Sequence, residues 1–302
     1  YPHCGKDCDS LMKAADAAMY AVKNGGRNGF RFFSSEMQRL VVDRHALETA
    51  LNDALSHQEL SLHYQPLVEA DTGRVMATEA LIRWHNPLLG PILPSQFIAI
   101  AEDLGLINGI GAWVLLTACQ QNELWSADLA SEPPLMVTIN VSLMQLQSAK
   151  FVEQLSVLLT QISIAPQQLV VEITEDCLSS APELVAEVLN QIHALGVLIA
   201  IDDFGSGYSS LAVLCSLPLA WLKIDPCFIG GIGVDKAAEG MVKSIIAMAH
   251  NLSIKAVAEG VENQQQVDFL KQHRCDMLQG YHIAGPANAD VITGILAKKV
   301  LS

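Results

Sequence analysis

Two adjacent carboxylates end one unbroken apolar run, and they are the clearest sign of chemistry in the sequence. The run covers residues 197–201, a pattern typical of a strand buried on both faces, and Asp202 and Asp203 follow it directly. Carboxylates this close at the edge of an apolar core repel each other, so they take up protons or bind cations. The stretch alone leaves an alternative open, a strand-to-helix turn in which Asp203 caps the next helix.

Seven further apolar segments also end at polar residues, and segments of helical length separate them. The predicted strands cover residues 60–68, 74–81, 135–141, 169–174, 197–203, 221–225, 254–259 and 276–280. The predicted helices cover residues 95–103, 107–124, 144–162, 182–195, 236–252, 264–272 and 290–299.

Eight strands that alternate with helices indicate a closed α/β barrel, whose chemistry lies at the carboxyl ends of its strands. From the pattern alone we expect all eight strands to be parallel. A doubly wound open sheet is the alternative, but the sequence has no Gly-rich phosphate-binding turn after the first strand.

In a closed barrel, polar residues from distant parts of the sequence would converge on one mouth. They are Glu79, Asn140, Glu172, Asp202, Asp203, Lys223, Glu259 and Gln279. This set is rich in oxygen and nearly free of histidine, so it selects hard ions such as Mg²⁺ or Mn²⁺ over zinc. So many oxygens favour two ions, which at a separation of about 4 Å clamp the attacking and leaving oxygens of a phosphoryl group.

Two basic residues complete the predicted site. Lys223, held among carboxylates, would orient a water molecule or assist its deprotonation, and would meet the developing negative charge. The alternative for Lys223 is a solvent-facing lysine at a strand end. The guanidinium of Arg83, next to Trp84, is a candidate to bind a phosphate of the ligand. The alternative is that Arg83 forms an ion pair on the surface.

Composition narrows the classes of function. The chain has 302 residues, of which 51% are hydrophobic, yet no stretch approaches the length of a transmembrane helix. A formal net charge of -14 argues against a protein that binds nucleic-acid polymers through a basic surface. An anionic ligand would need bound cations, which reverse the local sign of a carboxylate cluster.

Seven cysteines, most of them in apolar surroundings, indicate reduced thiols and therefore a cytoplasmic location. Cys4 and Cys8 beside His3 could be half of a metal site, but the sequence supplies no second half. A membrane anchor of the parent protein would lie outside these residues.

An ordered series of motifs resembles the EAL domain, a family that hydrolyses cyclic di-GMP. The resemblance runs from about residue 43 to the C-terminus. The motifs are residues 79–84 (EALIRW), 94–98 (PSQFI), 172–175 (EITE), 202–205 (DDFG), 222–225 (LKID), 258–262 (AEGVE) and 279–281 (QGY), together with Asn140.

The resemblance implies a modified TIM (β/α)₈ barrel whose first strand is antiparallel, which replaces the all-parallel expectation. It also implies two Mg²⁺ or Mn²⁺ ions and linear pGpG as the product. The metal ligands implied are Glu79, Asn140, Glu172, Asp202, Asp203 and Glu259, with Gln279 acting through water.

The remaining site residues are also assigned by resemblance. Lys223 activates water, and Arg83, with Leu81 and Gln65, contacts the substrate. Glu175 steadies the loop over residues 204–210, while Glu262 and Asp225 support Lys223. Ser206 stands where the family usually has Thr, so it keeps the hydroxyl and lacks a methyl group.

The N-terminal pattern predicts an amphipathic helix over residues 10–24 and a short strand over residues 29–33. These residues resemble the closing helix of a GGDEF diguanylate cyclase domain, although the cyclase signature itself does not occur. We therefore expect residues 1–42 to be the end of such a domain plus a linker helix, and residues 43–302 to be the phosphodiesterase barrel. Because the first residue is Tyr1, we expect upstream cyclase and sensor domains in a longer parent chain. A homodimer through the barrel is the expected assembly.

Two other functions stay open. The domain could be a catalytically silent receptor that binds cyclic di-GMP and signals through a partner, or a barrel hydrolase for another phosphodiester. Because every metal position and the lysine are retained, we expect an active phosphodiesterase.

Overall fold

The structure, a computed structural model, describes residues 35–129, 133–207 and 211–298, with positions 12, 15 and 18. The three continuous ranges contain nine strands, twelve α-helices and one 3-10 helix, Pro166–Gln168. The predictions for residues 1–11, for the strand at 29–33 and for the Cys4, Cys8 and His3 group lie outside these residues. Of the predicted helix over 10–24, positions 12, 15 and 18 are described, and they are helical.

The strands agree with the predicted ones to within two residues, except that β2 extends five residues beyond its predicted end and that one short strand is additional. They are β1 (Leu60–Glu69), β2 (Val75–Asn86), β3 (Gly90–Ile92), β4 (Met136–Asn140), β5 (Leu169–Thr174), β6 (Leu198–Phe204), β7 (Trp221–Ile224), β8 (Lys255–Ala258) and β9 (Met277–Leu278). The additional strand is β3, whose three residues are too few to show an apolar period.

The helices are bounded as follows, and one prediction among them is wrong. They are α1 (Ser35–Ala54), α2 (Pro94–Asp103), α3 (Ile107–Leu129), α4 (Leu143–Leu146), α5 (Phe151–Gln161), α6 (Glu175–Ser180), α7 (Pro182–Ala194), α8 (Leu211–Ser216), α9 (Pro226–Gly230), α10 (Lys236–Asn251), α11 (Gln264–Gln272) and α12 (Ala289–Leu296). The single helix predicted over 144–162 is two helices, because a hydrogen-bonded turn at residues 147–150 interrupts it.

The sheet order is β1-β9-β8-β7-β6-β5-β4-β2-β3, and a further pairing of β1 with β2 closes it into an eight-stranded barrel. From β2 through β4 to β9, neighbouring barrel strands are parallel. Strand β1 is antiparallel to β9, and a tight turn joins it to β2, which makes that pair antiparallel too. The all-parallel expectation is therefore wrong, and the antiparallel first strand is confirmed.

Contacts divide the chain into two units. One comprises Tyr1–Leu60 with Trp84–Leu106, and the other comprises Ser61–Arg83 with Ile107–Ser302. In the first unit, the buried rings of Trp84 and Phe97 meet edge to face at 5.5 Å. The Glu59 carboxylate accepts hydrogen bonds from Trp84 Nε1 and Asn86 Nδ2, each at 2.9 Å.

The second unit holds the apolar core in layers. Inside the barrel, small and branched side chains such as Ala77, Val170 and Val257 fill the floor beneath the strand ends. Outside it, apolar faces of α5, α7 and α10 cover the strands. No helix among the described residues combines the length and apolar character needed to cross a bilayer.

Candidate metal centre

The polar residues predicted at the strand ends come together at the carboxyl ends of the parallel strands. Glu79 lies in β2, Asn140 ends β4, and Glu172 lies in β5, where it is in register with Asn140. Asp202 lies in β6 and Lys223 in β7, while Glu259 and Gln279 follow β8 and β9 directly. Parallel strands in one barrel present these ends on the same rim.

A β-bulge brings Asp202 and Asp203 to the same place. Consecutive strand residues normally point to opposite faces of a sheet, so two neighbouring ligands need a break in the pleat. The register of β6 against β7 shifts between Ile201 and Phe204, and Asp203 has a φ of 53°. Two residues therefore oppose one on β7, and oxygens of both carboxylates lie within 4.8 Å of a Glu259 oxygen.

The Lys223 ammonium lies at the centre of the carboxylates and is fully buried. Its Nζ is 2.7 Å from Glu172, 3.2 Å from Glu79, 3.3 Å from Asp202 and 2.5 Å from Glu259. The solvent-facing alternative for this lysine is wrong. The four surrounding carboxylates explain how a lysine can be buried at this strand end.

Burial and mutual repulsion set the charge states of the cluster. Burial alone would lower the pKa of Lys223, but the surrounding carboxylates raise it well above its ordinary value. Burial raises the pKa of Glu172 well above its usual range and that of Glu259 to about 8. Burial and the neighbouring Asp202 raise the pKa of Asp203 to about 6.

Glu79 differs in this respect from Glu172 and Glu259. Burial acts to raise its pKa, but Lys223 and the amides of Gln279 and Asn140 together hold the pKa below its ordinary value. Asn140 Nδ2 donates to Glu79 Oε1 at 2.7 Å, and Gln279 Nε2 donates to Glu79 Oε2 at 2.7 Å. Glu79 is therefore held ionised and in a fixed orientation.

The residues present fit a divalent cation. Oxygens of Glu79, Glu172 and Asp202 lie within 4.8 Å of one another, and a second such group joins Asp202 to Asp203 and Glu259. Glu172 Oε1 is buried and has no hydrogen-bond partner, an arrangement that is costly unless a cation binds it. The cluster of acidic side chains is therefore suited to bind metal.

Glu175 holds the loop that follows the bulge. Its buried carboxylate accepts hydrogen bonds from the Gly205 N–H at 2.8 Å and the Gly207 N–H at 3.2 Å. The Ser206 hydroxyl donates to the Asp203 carbonyl at 2.8 Å. This hydroxyl is the group that Ser has in common with Thr. Residues 208–210 of this loop lie outside the described residues.

The predicted substrate-contacting residues lie on the first two barrel strands. Gln65 is buried, its Nε2 donates to the Ala284 carbonyl at 3.0 Å, and its Oε1 accepts from Gln279 at 3.2 Å. Arg83 and Leu81 are partly exposed and alternate with Glu79 along β2, which places all three on one face. Burial lowers the pKa of the Arg83 guanidinium.

Two residues expected beside Lys223 make other contacts. The Asp225 carboxylate accepts the Cys227 N–H at 2.8 Å and caps α9. The Glu262 side chain is exposed, and its backbone N–H donates to Gln266. Among the described residues, the carboxylates within 4 Å of Lys223 Nζ are the four given above.

His63, which the sequence pattern did not single out, lies near the predicted substrate-contacting residues. Along β1 it alternates with Gln65 and shares its face, and burial and the charge of Arg83 lower its pKa. The period of two in this strand was the signal that could have found it. The described cysteines, Cys119, Cys177, Cys215, Cys227 and Cys275, are unpaired thiols.

Known proteins are similar in sequence to this chain over most of its length. Over 297 residues the chain is 40% identical to "Bifunctional diguanylate cyclase/cyclic di-GMP phosphodiesterase MucR" of Pseudomonas aeruginosa, which covers 98% of this chain and 43% of that protein. It is 39% identical over 286 residues to "Cyclic di-GMP phosphodiesterase NbdA" of the same species, with 95% and 36% covered. The chain thus spans about two fifths of the length of these curated relatives.

A solved structure, "PaMucR Phosphodiesterase, c-di-GMP complex", is similar to this fold with a TM-score of 0.78 and 39% identity. The similarity covers 82% of this chain and 99% of that one. Residues 48–286 match the family model described as EAL domain. With the barrel, the strand-end carboxylates and these matches together, the chain belongs to the EAL domain family.

Proposed function

We propose that this domain hydrolyses cyclic di-GMP to linear pGpG and uses two Mg²⁺ or Mn²⁺ ions to do so. The observation that carries the proposal is the group of buried carboxylates around Lys223 at the barrel mouth. The names of relatives that are 39–40% identical support the choice of substrate. The ligands would be Glu79, Asn140, Glu172, Asp202, Asp203 and Glu259, with Gln279 acting through water.

Divalent ions bound there would neutralise the phosphodiester, lower the pKa of water and stabilise the charge that develops on oxygen. The chain itself supplies orientation. Water forms a new bond to phosphorus, and the bond from phosphorus to the ribose 3′ oxygen breaks. The 3′ oxygen leaves with a proton.

Lys223 donates hydrogen bonds in this scheme and does not accept a proton. Its carboxylate neighbours raise its pKa, so it is an ammonium at neutral pH with no lone pair to offer. An ammonium in this position orients the attacking water and stabilises negative charge on a phosphoryl oxygen. Of the two roles open to Lys223 from the sequence, we therefore propose orientation and charge stabilisation.

Arg83, Leu81 and Gln65 would contact the substrate above the metal ligands. Arg83 follows Glu79 on the same face of β2, so its guanidinium suits the second phosphate of the ring. Glu175 would keep Asp203 in place through the loop at Gly205 and Gly207. Asp225 and Glu262 would act on Lys223 indirectly, through the segments that carry them.

The proposed organisation of the chain follows the same resemblance. Residues 1–42 would be the end of a GGDEF-type domain with a linker helix, and residues 43–302 the phosphodiesterase domain of a longer cytoplasmic protein. Upstream cyclase and sensor domains, and a homodimer through the barrel, belong to this proposal.

Incubation of the purified chain with cyclic di-GMP tests the function. With Mg²⁺ or Mn²⁺ we expect pGpG to appear by chromatography, and we expect excess chelator to stop it. Tight binding of cyclic di-GMP without turnover would instead identify a silent receptor. Turnover of an unrelated phosphodiester in preference to cyclic di-GMP would indicate a different hydrolase.

A further inference from the structure

The short helix α9 packs closely against the backbone of the loop that follows β6. Gly205, two residues beyond Asp203, has a φ of +102°. A Cβ at this position would lie 2.7 Å from Phe228 Cε2 and 3.5 Å from Ile245 Cδ1. The Phe228 ring therefore lies directly against the Gly205 backbone, and a side chain larger than hydrogen does not fit there.

The same helix packs closely against the backbone of the loop that follows β8. Gly260 follows Glu259 directly and has a φ of +66°. A Cβ on Gly260 would lie 2.8 Å from Pro226 Cβ and 3.4 Å from Pro226 Cα. Pro226 and Phe228, two residues apart in α9, thus each contact the backbone next to a carboxylate of the acidic cluster.

A buried amide connects α9 to the second loop a second time. Gln266 is 2% exposed, and its Nε2 donates to the Ile229 carbonyl at 3.1 Å. Its Oε1 accepts from the Glu262 N–H at 2.7 Å and from the Asn263 N–H at 3.2 Å. Because Ile229 is fully buried, α9 is anchored in the core.

The loop after β6 is also held by hydrogen bonds to Glu175. Glu175 accepts hydrogen bonds from the N–H groups of Gly205 and Gly207, and a Cβ on Gly207 would lie 3.0 Å from Glu175 Cδ. Gly205 is therefore held between a carboxylate and the Phe228 ring. Asp203, two residues earlier in the same loop, is in the left-handed region with a φ of 53°.

We infer that α9 is a positioning element, in which Phe228 sets Asp203 through Gly205 and Pro226 sets Glu259 through Gly260. The inference rests on the proposed metal site, because its consequence is that the two carboxylates keep the spacing a divalent ion requires. Metal ligands must be held to within about 0.5 Å by the residues that support them. Loss of the Phe228 ring would free the Gly205 backbone and, with it, Asp203.

The test compares Phe228→Ala with Phe269→Ala. Both rings are partly buried and pack against the same apolar cluster, but Phe269 contacts Lys243 and His273 instead of a loop of the site. The two variants should therefore lose similar amounts of thermal stability. Two measurements separate them: amide hydrogen exchange at Gly205 and Gly207, and Mn²⁺ affinity by calorimetry or electron paramagnetic resonance.

We expect exchange at Gly205 and Gly207 to accelerate in Phe228→Ala and to stay at the wild-type rate in Phe269→Ala. We expect Mn²⁺ to bind at least about tenfold more weakly to Phe228→Ala, with Phe269→Ala unchanged. Phe228→Leu, which restores part of the bulk, should recover part of the Mn²⁺ affinity. If Phe228→Ala does not fold, Phe228→Leu takes its place in the same comparison.

Equal exchange rates and equal Mn²⁺ affinities in the Phe228 and Phe269 variants would overturn the inference. Unchanged Mn²⁺ affinity in Phe228→Ala would also overturn it, whatever the exchange rates. If the wild-type protein binds Mn²⁺ but does not hydrolyse cyclic di-GMP, the proposed reaction is contradicted. The amide exchange rates and the Mn²⁺ affinities would still test the role of α9.

Discussion

At the scale of single residues, Lys223 shows how one charge can organise several others. Four carboxylates lie within 3.3 Å of its ammonium group, and a lysine with fewer neighbours would lose its proton on burial. The same neighbours make it a permanent donor at the centre of the site. A group in this position contributes to the transition state more than to the binding of the ground state.

Lys223→Ala should therefore lower turnover of cyclic di-GMP by about a thousandfold or more while leaving its affinity nearly unchanged. Steady-state kinetics and calorimetric binding, both with Mg²⁺ present, measure the two effects. The control is Lys255→Ala, because Lys255 lies on the adjacent strand β8 and is exposed. A parallel loss of affinity and turnover would contradict the role assigned to Lys223.

At the scale of elements, the bulge in β6 explains why two adjacent residues can serve one site. It requires Asp203 to adopt a φ of 53°, a conformation that Asp and Asn tolerate and β-branched residues avoid. The backbone and the charge of Asp203 thus serve different purposes, and substitution can separate them.

Asp203→Asn should keep the bulge and the thermal stability but abolish turnover, because the carboxylate is lost. Asp203→Val should also be inactive, and it should lose about 1–3 kcal/mol in the free energy of unfolding through backbone strain. Denaturant unfolding of the two variants measures the difference. Equal stability of the Asn and Val variants would mean that the backbone at residue 203 is not strained.

The limits of sequence reasoning are also clearest at this scale. The apolar runs predicted the barrel strands to within a few residues, because strands buried on both faces are uninterrupted. The same alternation rule gives no warning of a bulge, which depends on pairing with β7. It also could not predict the turn between α4 and α5, where local hydrogen bonds override the helical period.

At the site, the polar residue types at the strand ends were sufficient to predict which side chains meet. They are Glu79, Glu172, Asp202 and Lys223. The supporting contacts could not be predicted in this way. Asp225 lies two residues after Lys223, yet its carboxylate caps α9, because a helix N-terminus offers unpaired N–H groups nearby. The antiparallel β1 came from family resemblance, since an apolar run does not reveal strand direction.

At the scale of the whole molecule, buried acids couple stability to pH. The pKa of Glu259 is about 8 and that of Asp203 about 6 in the folded protein, both above the usual values for a carboxyl group. The folded state therefore binds more protons than the unfolded state between roughly pH 4 and 8. Stability from these groups falls as pH rises through that window.

Without divalent ions, the midpoint of thermal unfolding should fall by about 2–6 °C between pH 5.5 and 8.5 through these groups. Mg²⁺ competes with protons for the same oxygens, so it should raise the midpoint more at pH 8.5 than at pH 5.5. Calorimetry at the two pH values measures both effects. Glu259→Gln should flatten the pH dependence, and an unchanged slope in that variant would exclude Glu259 as its source.

The central claim is that carboxylates from separate strand ends hold hard cations at the barrel mouth. Anomalous diffraction from a crystal soaked in Mn²⁺ tests it most directly. We predict two Mn²⁺ peaks about 4 Å apart, bound by oxygens of Glu79, Glu172, Asp202, Asp203 and Glu259. Mn²⁺ peaks elsewhere on the protein, with none within bonding distance of these carboxylates, would contradict the account.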